Sequence, residues 1–269
     1  MSIAARVGTV LLAAVAAVAL FGLIHTPYDP TATDLLDRFA TPSSVHWLGT
    51  DQYGADVLSR LLAGTFTTLC VSLLSSLLAV AAGSLFGAAL GFFGGTIDRI
   101  GCMLLDALLA FPGLLLVLGI MAVVGPSTTA VIVALGIAFA PAVARVVRAS
   151  VLSLREREFV EASRLIGNSE FTTLLRHVLP NCITPVLTLA TSLFSFAVLA
   201  ETALSFLGLG VPPPAPSLGG MLADSREYMD SAIWLALAPG ITITVILLGV
   251  NLCGDALRDR WDPRTAGRS

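Results

Sequence analysis

The chain has 269 residues, 56% of them hydrophobic and 12% charged, with a mean hydropathy of +0.89 and a formal net charge of −3. A water-soluble globule of this length cannot hide so much apolar surface, and the small net charge offers no electrostatic footprint for nucleic acid. The composition predicts an all-α, polytopic integral membrane protein in contact with membrane lipid.

A membrane-spanning helix takes about 20 predominantly apolar residues. Six stretches qualify, at 7–24, 67–92, 101–124, 128–147, 181–200 and 233–254. None alternates polar and apolar residues over about ten positions as a transmembrane barrel strand does. The first stretch, with Arg6 ahead of an alanine-rich run, invites a signal-peptide reading. Its core is longer than the usual h-region of about 7–15 residues, and a sixth span is needed to bring both termini to one side.

There is no lysine, so arginine alone sets the orientation. Twelve of the arginines fall on one side, including six between Arg145 and Arg176, whereas Arg38, Arg60 and Arg226 fall on the other. The positive-inside rule places the twelve in the cytoplasm. Both termini and the charged island 155–180 are then cytoplasmic, and the loops 25–66 and 201–232 face outward. The resulting organisation is an N-terminal transmembrane helix (1–25), an extracytoplasmic loop and interfacial segment (26–66), a core of five transmembrane helices (67–254) that includes the island helices 155–178, and a cytoplasmic tail (255–269).

In the first outward loop, His46 and Asp51 make a weak metal motif, and a structural interfacial segment anchored by Trp47 and Tyr53 is the favoured reading. In the second span Gly83, Gly87 and Gly91 recur at four-residue spacing, which lets helix backbones approach closely, within the chain or between subunits. Gly94 and Gly95 then turn the chain. Pro112, Pro141 and Pro239 lie within spans and predict kinks. Cys70, Cys102, Cys182 and Cys253 sit in or beside apolar spans without C-x-x-C spacing, which fits small buried hydrophobes better than a zinc or disulfide framework.

Acids near the hydrocarbon are costly and therefore functional candidates. Asp106 fits either a structural pair with Arg99 or a gating or coupling role. Glu201 is placed at the outer end of the fifth span, where water reaches it, and is a candidate for the translocation path. After it, the Gly and Pro cluster 208–220 breaks any helix and leaves 221–229 as a short amphipathic helix at the outer interface. In the tail, Asp and Arg alternate as on a solvated helix end that stops at Pro263.

The island REREFVEASRLIGNSEFTTLLRHVLP is the richest stretch. As a helix, 157–166 puts Phe159, Ala162, Ser163 and Ile166 on one stripe and Arg157, Glu161 and Arg164 on another. Gly167 stands where a left-handed C-cap belongs, and Asn168 or Ser169 can cap a second short helix running through His177 and ending at Pro180. The chain has no H-E-x-x-H, G-x-S-x-G or G-x-x-x-x-G-K-[ST] motif. If ATP drives transport, another chain must bind it.

Glu161-Ala162-Ser163, Gly167 and Leu179-Pro180 resemble the EAA motif of ABC-importer permeases, with Val178 at its Ile position and Ser163 at its second Ala. HWLGTDQYGADVLSRL, GFFGGTIDR, DALLAFPGLLL, SLREREFVEASRLIG, ETALSFLGLGVPPP and GDALRDRWDPR extend the resemblance over residues 44–264, to the dipeptide/oligopeptide/nickel permease family of DppC/OppC type. Ala55 departs from it, since the family carries Arg there.

The resemblance implies a type I importer permease fold with six transmembrane helices and a cytoplasmic EAA coupling helix, in a bacterial inner membrane. It implies partners: a second, DppB/OppB-type permease, two ABC ATPase subunits holding ATP and Mg, and an extracytoplasmic substrate-binding protein. The chain itself is then no enzyme and binds no cofactor. Arg157, Phe159, Glu161, Ala162, Ser163, Arg164 and Gly167 would couple it to the ATPase, and the substrate would be a di- or oligopeptide, with nickel chelates or haem as the alternative. A secondary transporter needs polar midplane groups or repeated broken helices, of which the sequence offers few. An intramembrane hydrolase needs a nucleophile and base at depth, yet His25, His46 and His177 lie at or outside the membrane edges.

Overall fold

Lipid offers no partner to a backbone N–H or C=O, so apolar runs of membrane length satisfy themselves as helices. The computed structural model describes residues 3–261, with side chains placed from 5 to 256. Five long apolar helices are α1 (Ile3–Ile24), α2 (Val57–Phe93), α5 (Thr128–Leu154), α8 (Ile183–Phe206) and α10 (Trp234–Trp261). Between α2 and α5 lie α3 (Gly95–Ala110) and α4 (Gly113–Val124), a pair bent by 90° that together make the sixth candidate span. The shorter α6 (Glu158–Leu165) and α7 (Glu170–Thr173) form the island, and α9 (Leu218–Ser225) lies in the loop before α10. No strand occurs among the described residues. The Pro263 stop lies outside them.

The third apolar stretch reads from sequence as one kinked span. The structure corrects this to a sharp break, and the cause is local. The residue before a proline is pushed out of the helical region, and Phe111 is extended at φ −84° and ψ 137° ahead of Pro112. Pro141 and Pro239, by contrast, are carried inside continuous helices.

The centre of the bundle is α2 against α5. Cβ atoms added at Gly83, Gly87 and Gly91 would meet the carbonyl oxygens of Ala140, Ala144 and Arg148 at 2.5, 2.2 and 2.8 Å. Both sets ascend together, so the helices run parallel with backbones in near contact. The glycine stripe serves packing within the chain. On the flanks, Gly8 of α1 meets Leu252 of α10 while Gly249 meets Leu11 and Leu12, an antiparallel pairing, and Gly22 meets Leu62 of α2. Gly94 and Gly95, at φ +66° and +61°, reverse the chain between α2 and α3.

One apolar cluster, with Phe92, Val147, Val160, Leu174 and Val178, joins the α2–α5 pair to the island. A second places Val117 and Met121 of α4 against Leu135 of α5 and Leu204 of α8. The loops 25–56 and 207–233 therefore gather at one end of the bundle, and the island lies at the other, arginine-rich end.

Candidate functional site

Each part of the island has a local cause. Helix α6 opens after Arg157, whose extended backbone at φ −81° and ψ 146° makes the N-cap, and Glu158 and Glu161 in its first turn complement the helix dipole. It ends at Gly167, φ +87°, where the Gly167 N–H donates to the Arg164 carbonyl (3.0 Å) and the Asn168 N–H to that of Ser163 (3.2 Å). Ser169 then caps α7, its hydroxyl accepting from the Thr172 N–H at 3.1 Å.

The buried face of α6 differs from the expected stripe. Val160 and Ser163 turn inward, whereas Phe159, Ala162 and Ile166 are exposed together with Leu165. A sequence of eight residues fixes the helical period but not the rotation, and Val160 wins the core position by packing into the cluster with Phe92 and Val178. Ser163, at the motif's second Ala position, is a buried polar hub. It shares a 3.0 Å bond with the Thr173 hydroxyl and accepts from the Asn168 amide at 3.1 Å. On the outer face Arg164 binds Glu170 (3.0 Å) and lies over the Phe92 ring, while Arg157 and Glu161 are exposed.

The second helix does not stop at Pro180. The chain stays helical through a π turn (Leu174–Val178) and a 3-10 turn (Leu179–Cys182) into α8. Proline is tolerated there because it falls in the first turn of the 3-10 element, where its missing N–H is no loss. The island is thus continuous with a membrane-spanning helix.

Asp106 pairs with Arg145 of α5 at 2.5 Å and not with Arg99. Arg99 stands two turns away on the same helix, about 10 Å along the axis, while Arg145 faces Asp106 across the α3–α5 seam. One step toward the arginine-rich end, Arg148 grips Asp98 through two bonds of 2.5 and 2.7 Å.

Glu201 is fully buried, not water-exposed, because α8 continues past it to Phe206 and the following loop folds back over it. Gly219 of α9 sits against Thr202 and Ser205. Ser205 donates to Glu201 Oε1 at 2.7 Å and the Thr68 hydroxyl lies against the carboxyl, leaving Oε2 without a partner.

At the loop end, the sequence singles out His46 and Asp51 but neither Asp56 nor Asp224, which the structure links to them. Asp56 Oδ2 caps α2 by accepting from Ser59 N–H (2.8 Å) and hydroxyl (2.7 Å), and its Oδ1 bonds His46 Nδ1 at 2.9 Å. Removing both roles with Asp56→Ala is expected to cost about 0.5–2 kcal/mol, the range of a lost N-cap, readable as a lowered melting temperature in detergent. Arg60 joins Asp51 to Asp224 of α9, and Asp224, part-buried, has its carboxyl pushed above its ordinary value by desolvation against the pull of Arg60. Ala55 is buried and meets Asp51 through its backbone alone, its N–H donating to the Asp51 carboxylate at 2.9 Å and its carbonyl accepting from the Asp51 N–H at 3.0 Å, so the guanidinium on that acid comes from Arg60. No local sequence signal marks the Arg60–Asp224 contact, which spans 164 positions. Trp47 and Tyr53 are exposed, as interfacial rings require.

In comparisons with known proteins, the chain is 40% identical to a di/tripeptide transport system permease protein, DppC, of Pseudomonas aeruginosa, over 91% of this chain and 83% of that one. It is 37% identical to a dipeptide transport system permease protein, DppC, of Alkalihalophilus pseudofirmus, over 97% and 86%. Among solved structures, an inward-facing conformation of the MetNI methionine ABC transporter superposes with a TM-score of 0.61 at 19% identity, over 75% of this chain and 95% of that one, a likeness of fold. The profile of the binding-protein-dependent transport system inner membrane component matches residues 79–267, which take in the glycine-packed α2–α5 pair, the broken span and the island. With that match over most of its length, the chain belongs to the family of binding-protein-dependent transport system inner membrane components.

Proposed function

We propose that this multi-pass transport component is the permease subunit of an ATP-driven importer of di- and oligopeptides, and that α6 is its docking helix for a cytoplasmic ATPase. The observation that carries the docking assignment is the face α6 presents. Phe159, Leu165 and Ile166 project from the bundle with exposures of 40, 83 and 79%, while Val160 and Ser163 tie the same helix inward. An apolar edge flanked by the charges of Arg157, Glu161 and Arg164 matches a helix seated in a partner's groove with an ionic rim. The arginine-rich end is then cytoplasmic, as are both termini.

The rest of the assembly follows from that role. The chain carries the path and the mechanical link; a second permease chain completes the path, two ATPase subunits bind ATP and Mg, and an extracytoplasmic binding protein delivers the solute. Peptides are the favoured solute because the curated relatives named above are di- and tripeptide permeases that align along most of their length.

The docking assignment is tested by recovery of the ATPase with the tagged chain from native membranes. Phe159→Glu together with Ile166→Glu is expected to lower that recovery at least tenfold while the chain stays at its normal level in the membrane. Unchanged recovery would remove α6 as the docking element.

A further inference from the structure

Asp106 and Arg145 are exposed charges on the bundle wall. Their side chains are 67 and 58% exposed although they bond each other at 2.5 Å. Arg145, which the sequence count sets among the cytoplasmic arginines, lies inside the hydrocarbon layer whichever end of α5 is set at the membrane edge. It is nine residues from Leu154, about 14 Å, and seventeen from Thr128, about 25 Å, against a layer of about 30 Å. Charges at that depth face a protein interior or water, not lipid.

A second observation lies one helical turn further along α3. Phe111 and Pro112 are exposed, and the backbone there is not helical. Irregular backbone at membrane depth is tolerated only inside protein or beside a water-filled cavity. Ala110, exposed as well, shares the face of Asp106 at i+4. Beyond the break, Gly113 and Gly119 have open space where a side chain would stand.

Water fits this face better than a protein partner. The pair makes a single bond, from Arg145 Nη2 to Asp106 Oδ1, while a guanidinium has five N–H donors and a carboxylate a second oxygen. The unused groups need many small partners or an equally charged one. The neighbouring Asp98–Arg148 pair, with both guanidinium bonds engaged and side chains 19 and 27% exposed, shows the contrasting structural arrangement.

We propose that the Asp106–Arg145 pair lines the aqueous transport path and is a station for a solute carrying both an ammonium and a carboxylate group. Such a solute replaces each partner in turn, its carboxylate taking Arg145 and its ammonium taking Asp106, so the charges are never left uncompensated. The choice of solute rests on the peptide reading above; the placement in water does not.

The test uses the assembled transporter in sealed proteoliposomes, in a background with Cys70, Cys102, Cys182 and Cys253 replaced by serine. Asp106→Cys and Ala110→Cys are each expected to react with a membrane-impermeant ammonium methanethiosulfonate at least ten times faster than Leu77→Cys, an exposed position in the apolar run of α2. Equal rates at all three overturn the proposal. The double variant Asp106→Asn/Arg145→Gln, at normal ATPase recovery, is expected to lower uptake of a dipeptide with free termini at least tenfold. Uptake within twofold of wild type overturns the station. A wild-type complex that takes up no dipeptide removes the peptide reading and the station with it, while the thiol rates still decide water access.

Discussion

Substitution of Gly167 is expected to uncouple transport from ATP hydrolysis in a graded series, with valine worst, aspartate intermediate and asparagine mildest. Gly167 holds φ +87° at the junction of α6 and α7 and has no heavy atom within 4 Å of an added Cβ. Space is therefore not the constraint. An L-residue pays about 1–2 kcal/mol to sit in the left-handed region, least for Asn and Asp and most for a β-branched side chain. A chain that escapes that cost must turn differently and re-aims α6 relative to α7 and the helix behind it. The variants should insert and accumulate normally, since nothing in the bundle core touches this residue. Substrate-stimulated ATPase activity of the purified complex should fall at least tenfold for valine. Glu161→Lys should act alike by a different route: Glu161 is exposed and forms no ion pair among the described residues, so its charge is available to a partner. Normal stimulated ATPase activity and uptake in Gly167→Val and Glu161→Lys would show that the docking element lies elsewhere.

Gly87→Leu is expected to remove the folded protein. Even a methyl group at this position would stand 2.2 Å from the Ala144 carbonyl oxygen and 2.8 Å from its Cα, both backbone atoms that no rotamer change can move. The helices must separate along their whole contact, from Gly83 to Gly91, and lose the dispersion attraction that holds helices together where lipid is as apolar as the side chains. Overpacking a core typically costs about 1–3 kcal/mol, and a leucine against backbone exceeds that range. Gly87→Ala should already lower the melting temperature in detergent, whereas Gly119→Ala, with nothing within 4 Å, should leave it unchanged. If Gly87→Ala and Gly119→Ala melt alike, the close α2–α5 approach is wrong.

The legible parts of the fold were those fixed by composition and short-range chemistry. Apolar length located the spans, the turn at Gly94–Gly95 followed from two glycines, and Gly167 and Ser169 were placed as caps because capping depends on one or two residues. Sequence could not give the rotation of α6, since both Phe159 and Val160 are apolar and only the surrounding core decides which is buried. Nor could it give the partner of Asp106, because Arg145 is 39 positions away in sequence and only the α3–α5 seam brings it alongside. The burial of Glu201 is hidden from sequence for a related reason. An acid at the end of an apolar run reads as the edge of the span, but Ser205, Thr68 and the overlying α9 enclose the Glu201 carboxyl. The break at Pro112 was half legible: the proline was visible, but its 90° consequence depends on where α4 finds its packing against α5 and α8.

Helix α2 runs 37 residues without interruption, about 55 Å. At one end Asp56 caps it and Arg60 reaches Asp224; at the other, the Gly91 carbonyl accepts from Arg155 Nη1 at 3.1 Å, next to the island. A helix this long with a parallel neighbour locked to it by three glycines behaves as a lever, not a spring. A displacement at the α6 end is then expected to reach the Arg60–Asp224 contact. That contact is then the place to put a spectroscopic reporter for motion that begins at the island end of the bundle.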